Sequence, residues 1–123
     1  YLDEDIDIQD VLAVNSANNI VNSDIVKALS PSVFNLNQNY PNPFNPSTSI
    51  SFDIGTANEV ELLIYDINGR EVKSLFSGFL NSGQHSFIWN GKNNADSKVS
   101  SGTYIYRLRS ENNIVSKKMI FMK

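Results

Sequence analysis

From Ser49 onward, short runs in which every second residue is apolar recur at intervals of about ten residues, each closed by a turn signal. A strand sends successive side chains to opposite faces, so each such run buries one face and wets the other. Ile50, Phe52 and Ile54 alternate with Ser49, Ser51 and Asp53, and Val60, Leu62 and Ile64 alternate with Glu59, Glu61, Leu63 and Tyr65. Asp66-Ile67-Asn68-Gly69-Arg70 then reverses the chain, because Asn-Gly tolerates the positive φ that a tight hairpin requires, so residues 71–76 return antiparallel to 59–66. A strand over 84–90 follows, entered through Asn81-Ser82-Gly83, with Phe87 and Trp89 on one side. The polar, glycine-bounded stretch 91–102 reads as loop. Tyr104, Tyr106 and Leu108 alternate with Ile105, Arg107 and Arg109, and after a turn at Glu111-Asn112-Asn113 a last strand runs from Ile114 to Met122. Lys117-Lys118 interrupts either alternation in that strand, which a bulge or an edge position would explain. About seven short strands with turns between them predict an all-β fold, an antiparallel immunoglobulin-like β-sandwich.

All four prolines lie between residues 29 and 47, in LSPSVFNLNQNYPNPFNPS. Proline lacks an amide donor and holds the residue before it extended, so Tyr40-Pro41, Asn42-Pro43 and Asn45-Pro46 belong to neither a helix nor a central strand. The bulk of Tyr40 and Phe44 predicts that this segment is pinned to a core. Upstream, Val11-Leu12-Ala13-Val14 and Asn19-Ile20-Val21 fit short strands, or Asp24 caps a helical turn of Ile25, Val26 and Leu29; the pattern leaves both open.

At 123 residues, 41% hydrophobic and without a run of eighteen apolar residues, the chain fits one soluble domain with an appendage and not a membrane-spanning helix. Residues 1–10 are acidic where a signal peptide would be basic and then apolar, so the chain is expected to start inside a longer precursor. The absence of cysteine excludes disulfides, thiolate metal sites and cysteine nucleophiles. Net charge is −3, too little basic surface for nucleic acid, and it is uneven: residues 1–30 carry six acids against Lys27, whereas 31–123 carry nine bases against seven acids.

The residues assemble no evident active site, and no enzyme activity or cofactor is expected. Asp3, Asp5 and Asp7 alternate as calcium ligands would, but Ile8 stands where an EF-hand loop needs glycine and Val14 where it needs the closing acid. His85 is the sole histidine and reads as structural or exposed. Trp89 with Phe87, Tyr104 and Tyr106 could form an aromatic platform for sugar or nucleic acid, although aromatics alternating along sandwich strands more often fill the core.

Taken together, Leu36-Asn37-Gln38-Asn39-Tyr40-Pro41-Asn42-Pro43-Phe44-Asn45-Pro46-Ser47-Thr48, IYDINGR at 64–70, GQHSFIWNG at 83–91, VSSGTYIYRL at 99–108 and KKMIFMK at the end closely resemble the C-terminal sorting domain of type IX secretion system substrates, a Por secretion tail with an FlgD-like immunoglobulin-type sandwich. The resemblance spans about residues 34–123. It implies that 1–33 end a preceding cargo module and linker, while 34–123 form the sorting domain. Asp96 stands where the family has a loop glycine and Gly55 where it has a proline.

The resemblance further implies a passport for a larger exported protein, carried through the periplasm to an outer-membrane translocon and its shuttle proteins. A surface signal peptidase would then cut the domain off, near 24–36, and the cargo would be released or attached at the cell surface. The recognised signal would lie in the last strands, with Gly102, Tyr104, Tyr106, Lys117, Lys118, Met119 and Lys123. Pro41, Asn42, Pro43, Phe44, Tyr65, Asp66, Gly69, Arg70 and Trp89 would be structural. A monomer without membrane insertion is expected, its partners being that machinery and the cargo. The competing expectation is a carbohydrate-binding or adhesive sandwich with an exposed aromatic face, whereas the sorting reading buries Trp89.

Overall fold

The computed structural model describes residues 32–123, so the readings on the acidic run and on the short strands or helical turn before Pro31 lie outside the described residues. Seven strands follow one another: β1 (Phe34–Leu36), β2 (Thr48–Ile54), β3 (Asn58–Asp66), β4 (Glu71–Leu80), β5 (Gly83–Trp89), β6 (Gly102–Arg109) and β7 (Ile114–Phe121). They form two antiparallel sheets, β1-β2-β5 and β4-β3-β6-β7. This is the expected all-β immunoglobulin-like sandwich.

The alternations set the inner faces. In β2, Thr48, Ile50, Phe52 and Ile54 are buried and the residues between them half-buried. In β6, Tyr104, Tyr106 and Leu108 point inward against Val60, Leu62 and Ile64 of the neighbouring β3. Trp89 is 0% exposed, with its ring 5.5 Å from Phe44, 5.2 Å from Tyr104 and 6.1 Å from Phe121. Its Nε1 donates to the Lys92 carbonyl at 2.8 Å, so the indole is buried without stranding its one polar atom. Each such side chain contributes about 1.5–3 kcal/mol through area removed from water, so this cluster outweighs any surface ion pair in the domain.

Two expectations shift. The strand after the Asn-Gly turn runs to Leu80 and not Phe76, because β3 begins at Asn58 and supplies partners along that whole length, with bulges at Leu62/Leu63 and Ile64/Tyr65. Tyr40 is 80% exposed, so of these two aromatics only Phe44 anchors the proline segment in the core.

The hairpin turn also differs in kind. Only Gly69 has positive φ (84°), and Asp66 and Arg70 close a three-residue loop: the Asp66 N–H donates to the Arg70 carbonyl and the Gly69 N–H to the Asp66 carbonyl, both at 3.0 Å. Asp66 Oδ1 heads the loop by accepting from the Asn68 and Arg70 amides. The same plan recurs at 93–97. There the Asn93 N–H donates to the Ser97 carbonyl and the Asp96 N–H to the Asn93 carbonyl, while Asn93 Oδ1 accepts from the Ala95 and Ser97 amides. Asp96 occupies the left-handed position (φ 64°) that Gly69 fills in the first loop, and it is itself too exposed for its pairing with Lys92 at 3.9 Å to compensate.

A side chain in left-handed geometry costs about 1 kcal/mol, somewhat less for aspartate. Asp96→Gly is therefore expected to raise the unfolding free energy by about 0.5–1 kcal/mol, and Gly69→Asp to lower it by a similar amount. Urea midpoints at constant m-value would check both; equal midpoints for all three proteins would contradict the shared-loop geometry.

Candidate functional site

The proline motif and the strand that carries Lys117 and Lys118 meet at one place, the outer edge of β7. β7 ends the four-stranded sheet, so alternate residues send their amides and carbonyls away from β6. Phe44 lies against this edge as a one-residue parallel strand: its N–H donates to the Ile120 carbonyl and its carbonyl accepts the Met122 N–H, both at 3.0 Å. Asn42 Oδ1 accepts the Ile120 N–H at 2.8 Å, and Gln38 Nε2 donates to the Lys118 carbonyl at 2.8 Å. The segment satisfies the edge with side chains where its prolines have no amide to give.

The segment is itself held from behind. The Asn39 N–H donates to the Tyr106 hydroxyl (2.8 Å), which donates to the Asn37 carbonyl (2.7 Å). Asn39 Nδ2 and Thr48 Oγ1 both donate to the Pro41 carbonyl, and both residues are buried. Burial pushes the Tyr106 hydroxyl up to about 12, against the opposing pull of the Asn39 amide.

Toward Ile114 the β7 edge is different. The Ser116 N–H and carbonyl and the Lys118 N–H share the outward side with Ile120, and none meets a partner among the described residues. The ladder from Gly102↔Phe121 to Arg109↔Ile114 is regular, so an edge position and not a bulge accommodates Lys117-Lys118. Lys117 takes an inner-face position but stays half-buried, and Lys118 is exposed. Neither lysine has a carboxylate partner among the described residues.

The opposite edge of this sheet is closed in a related way. The Asn94 N–H donates to the Val72 carbonyl, Asn94 Oδ1 accepts the Ser74 N–H, and Asn94 Nδ2 donates to Glu71, all within 2.9–3.0 Å.

Of the other sequence-assigned residues, Tyr104, Tyr106 and Met119 are buried, with the Tyr104 hydroxyl donating to the Ser100 carbonyl; they act on any docking surface only by fixing the strands. Gly102 and Lys123 are exposed, and the Lys123 N–H donates to Ser101 Oγ. Pro41 and Pro43 lie exposed beside Asn42. Tyr65 accepts a hydrogen bond from Arg107, whose guanidinium lies 4.7 Å from its ring centre. Arg70 Nε reaches Asp66 at 3.1 Å, and the Arg70 amide, foremost among several donors and charges, holds the Asp66 carboxyl below its ordinary value. That contribution is present above about pH 4 and is lost as pH falls through the depressed value.

Trp89, Tyr104 and Tyr106 lie inside the sandwich, so they present no platform for sugars. The His85 ring nitrogen lies 2.8 Å from the Asn81 carbonyl, and its ring is 5.7 Å from Phe52. An open groove of about 670 Å³ lies at the far end, lined by Glu59, Glu61, Arg109, Glu111, Asn113 and Ile114, with Arg109 and Glu61 ion-paired across it. Among the described residues no three His, Cys, Asp or Glu side chains gather as a metal site would need.

Sequence reading missed Asn39, Thr48, Asn94 and Gly91. A Cβ on Gly91 would sit 2.9 Å from Phe121 Cζ, and its φ is 74°. Asn94 could have been found by aligning DINGR with NNADS, which share an Asx head and a left-handed fourth position.

Two face-packed antiparallel sheets, the larger one capped at both margins by loop side chains and left partly open along β7, define an immunoglobulin-like domain. A model of the FlgD Ig-like domain matches residues 38–113, and the chain belongs to that family. Among solved structures it is similar to dimeric latent PorU from Porphyromonas gingivalis, at 24% identity and TM-score 0.59, over 76% of this chain and 10% of that one. It is also similar to FlgD from P. aeruginosa, at 21% identity and TM-score 0.48, over 60% of this chain and 58% of that one. A third similar structure is PorZ, described as an essential surface component of the type IX secretion system of P. gingivalis, at 17% identity and TM-score 0.47, over 70% of this chain and 11% of that one. The chain thus spans about a tenth of the PorU chain, and at these identities the likeness is one of fold. No curated protein sequence matches it.

Tyr106→Phe is expected to cost about 1–3 kcal/mol by orphaning the buried Asn39 amide. Because Tyr106 ionises later in the folded than in the unfolded chain, its contribution is complete below about pH 10 and lost as pH rises from there towards 12. Alkaline melts of the parent should therefore fall more steeply than those of the variant, with tyrosinate absorbance rising alongside unfolding. Asn42→Ala should cost about 1 kcal/mol and speed hydrogen exchange at the Ile120 amide selectively. Unchanged exchange there would disprove the cap.

Proposed function

We propose that this sandwich is a sorting domain, read by a type IX secretion machinery and carried by a larger exported protein whose activity resides elsewhere. One observation carries the reading. Two pieces of the sorting-domain motif, the NPNPF segment and the terminal KKMIFMK run, join directly: Asn42 and Ile120, 78 residues apart, hydrogen-bond beside the Phe44–Phe121 bridge. Motif pieces that meet in space support reading them as one unit. The family match ends at Asn113, and β7 lies beyond the matched stretch.

On this reading the domain has no catalytic residues, takes no cofactor, and presents the β6–β7 hairpin to an outer-membrane translocon and its shuttle proteins. Export through the periplasm, removal by a surface peptidase and release or attachment of the cargo would then follow, as the resemblance to sorting domains implies. Deleting 117–123 is a poor test, because Met119 and Phe121 belong to the core and the truncated chain would lose its fold.

The direct test fuses the full chain behind a reporter that carries a periplasmic export signal, in a bacterium with a type IX system. The reporter is expected at the cell surface or in the medium, and in the periplasm when the translocon gene is deleted. Retention in the periplasm of the intact strain would overturn the proposal.

A further inference from the structure

The sorting reading leaves open which atoms of β7 a partner would touch, and the edge itself restricts the choice. From Lys118 O to Met122 N the outward groups are consumed by Gln38, Asn42 and Phe44. A strand pairing at Ile120 O or Met122 N must displace Phe44, a ring stacked 4.9 Å from Phe121 and 5.5 Å from Trp89, and one pairing at Lys118 O or Ile120 N must displace Gln38 or Asn42. What remains is a window of one donor–acceptor pair at Ser116, a second donor at Lys118 N, and the start of the strand at Ile114, which is 61% exposed.

Resting on the sorting reading, we infer that the β7 window from Ile114 to Lys118 is a strand-addition site for an extended, acidic segment of the partner. Main-chain pairing at Ser116 supplies register, as in β-augmentation at other sheet edges. Lys117 and Lys118 project to the two faces of the strand, so carboxylates at adjacent positions of the incoming strand would meet one lysine on each face. A second copy of this chain fits poorly, because self-pairing about Ser116 would bring four lysines into one short ladder without a carboxylate.

Proline at 116 tests this at the level of a single atom. It removes only an outward-facing amide, which a sheet edge tolerates, so the ladder with β6 is kept. In the reporter fusion, Ser116→Pro should cut surface delivery about tenfold while the purified chain melts within a few degrees of the parent. Lys117→Glu/Lys118→Glu, which leaves every amide in place, should do the same by repelling an acidic strand.

Parent delivery with normal delivery of both variants would overturn the strand-addition inference and leave the sorting proposal standing. Failure of the parent fusion would instead overturn the sorting proposal. Should Ser116→Pro misfold, the lysine double variant decides alone. Sedimentation of the parent chain should show a monomer; a dimer abolished by Ser116→Pro would mean that a second copy fills the window, and the inference falls.

Discussion

The bridge between Phe44 and Phe121 does two jobs that seldom fall to one contact. Its main-chain hydrogen bonds close the margin of the four-stranded sheet, and its rings complete the aromatic cluster around Trp89. Loss of either ring would disturb both the packing of the core and the pairing of the edge. Gly91 belongs to the same arrangement, since its missing side chain is where the Phe121 ring lies. The proline segment, which looks in isolation like a linker, is therefore part of the folded domain. Its polar atoms are spent on the segment itself, on β2, on the Tyr106 hydroxyl and on β7.

Most of the fold was legible because the inward residues declare themselves. Ile50, Phe52 and Ile54, then Val60, Leu62 and Ile64, then Tyr104, Tyr106 and Leu108, all face the core as their alternation requires. Period-two patterning does not say how long a strand stays paired, which is why β4 ran past Phe76; pairing length depends on the partner strand. Nor does it separate an anchored aromatic from an exposed one when proline breaks the period, so Tyr40 and Phe44 looked alike and came out opposite.

The candidate site was half legible. The motif residues and the terminal lysines could be named, but not the fact that Asn42 and Phe44 occupy part of the edge the lysines border. Side chains standing in for a strand leave no periodic trace. Asn42 and Asn94, one at each margin of the larger sheet, use the same amide chemistry to settle groups that would otherwise invite another chain. Two devices of one kind make the uncapped stretch at Ser116 a local property and not a general looseness of the sheet.

Because Met119 and Phe121 sit at the far end of the last strand, the core is completed only by residues that a ribosome supplies after all the others in the sandwich. Trp89 and Phe44 wait for Phe121, and until it arrives the margin beside Phe44 has nothing to pair with. A nascent polypeptide thus has nothing to pair along this seam until synthesis has passed residue 121. A chain stopped before residue 121 carries the proline motif but lacks the strand end on which that motif packs.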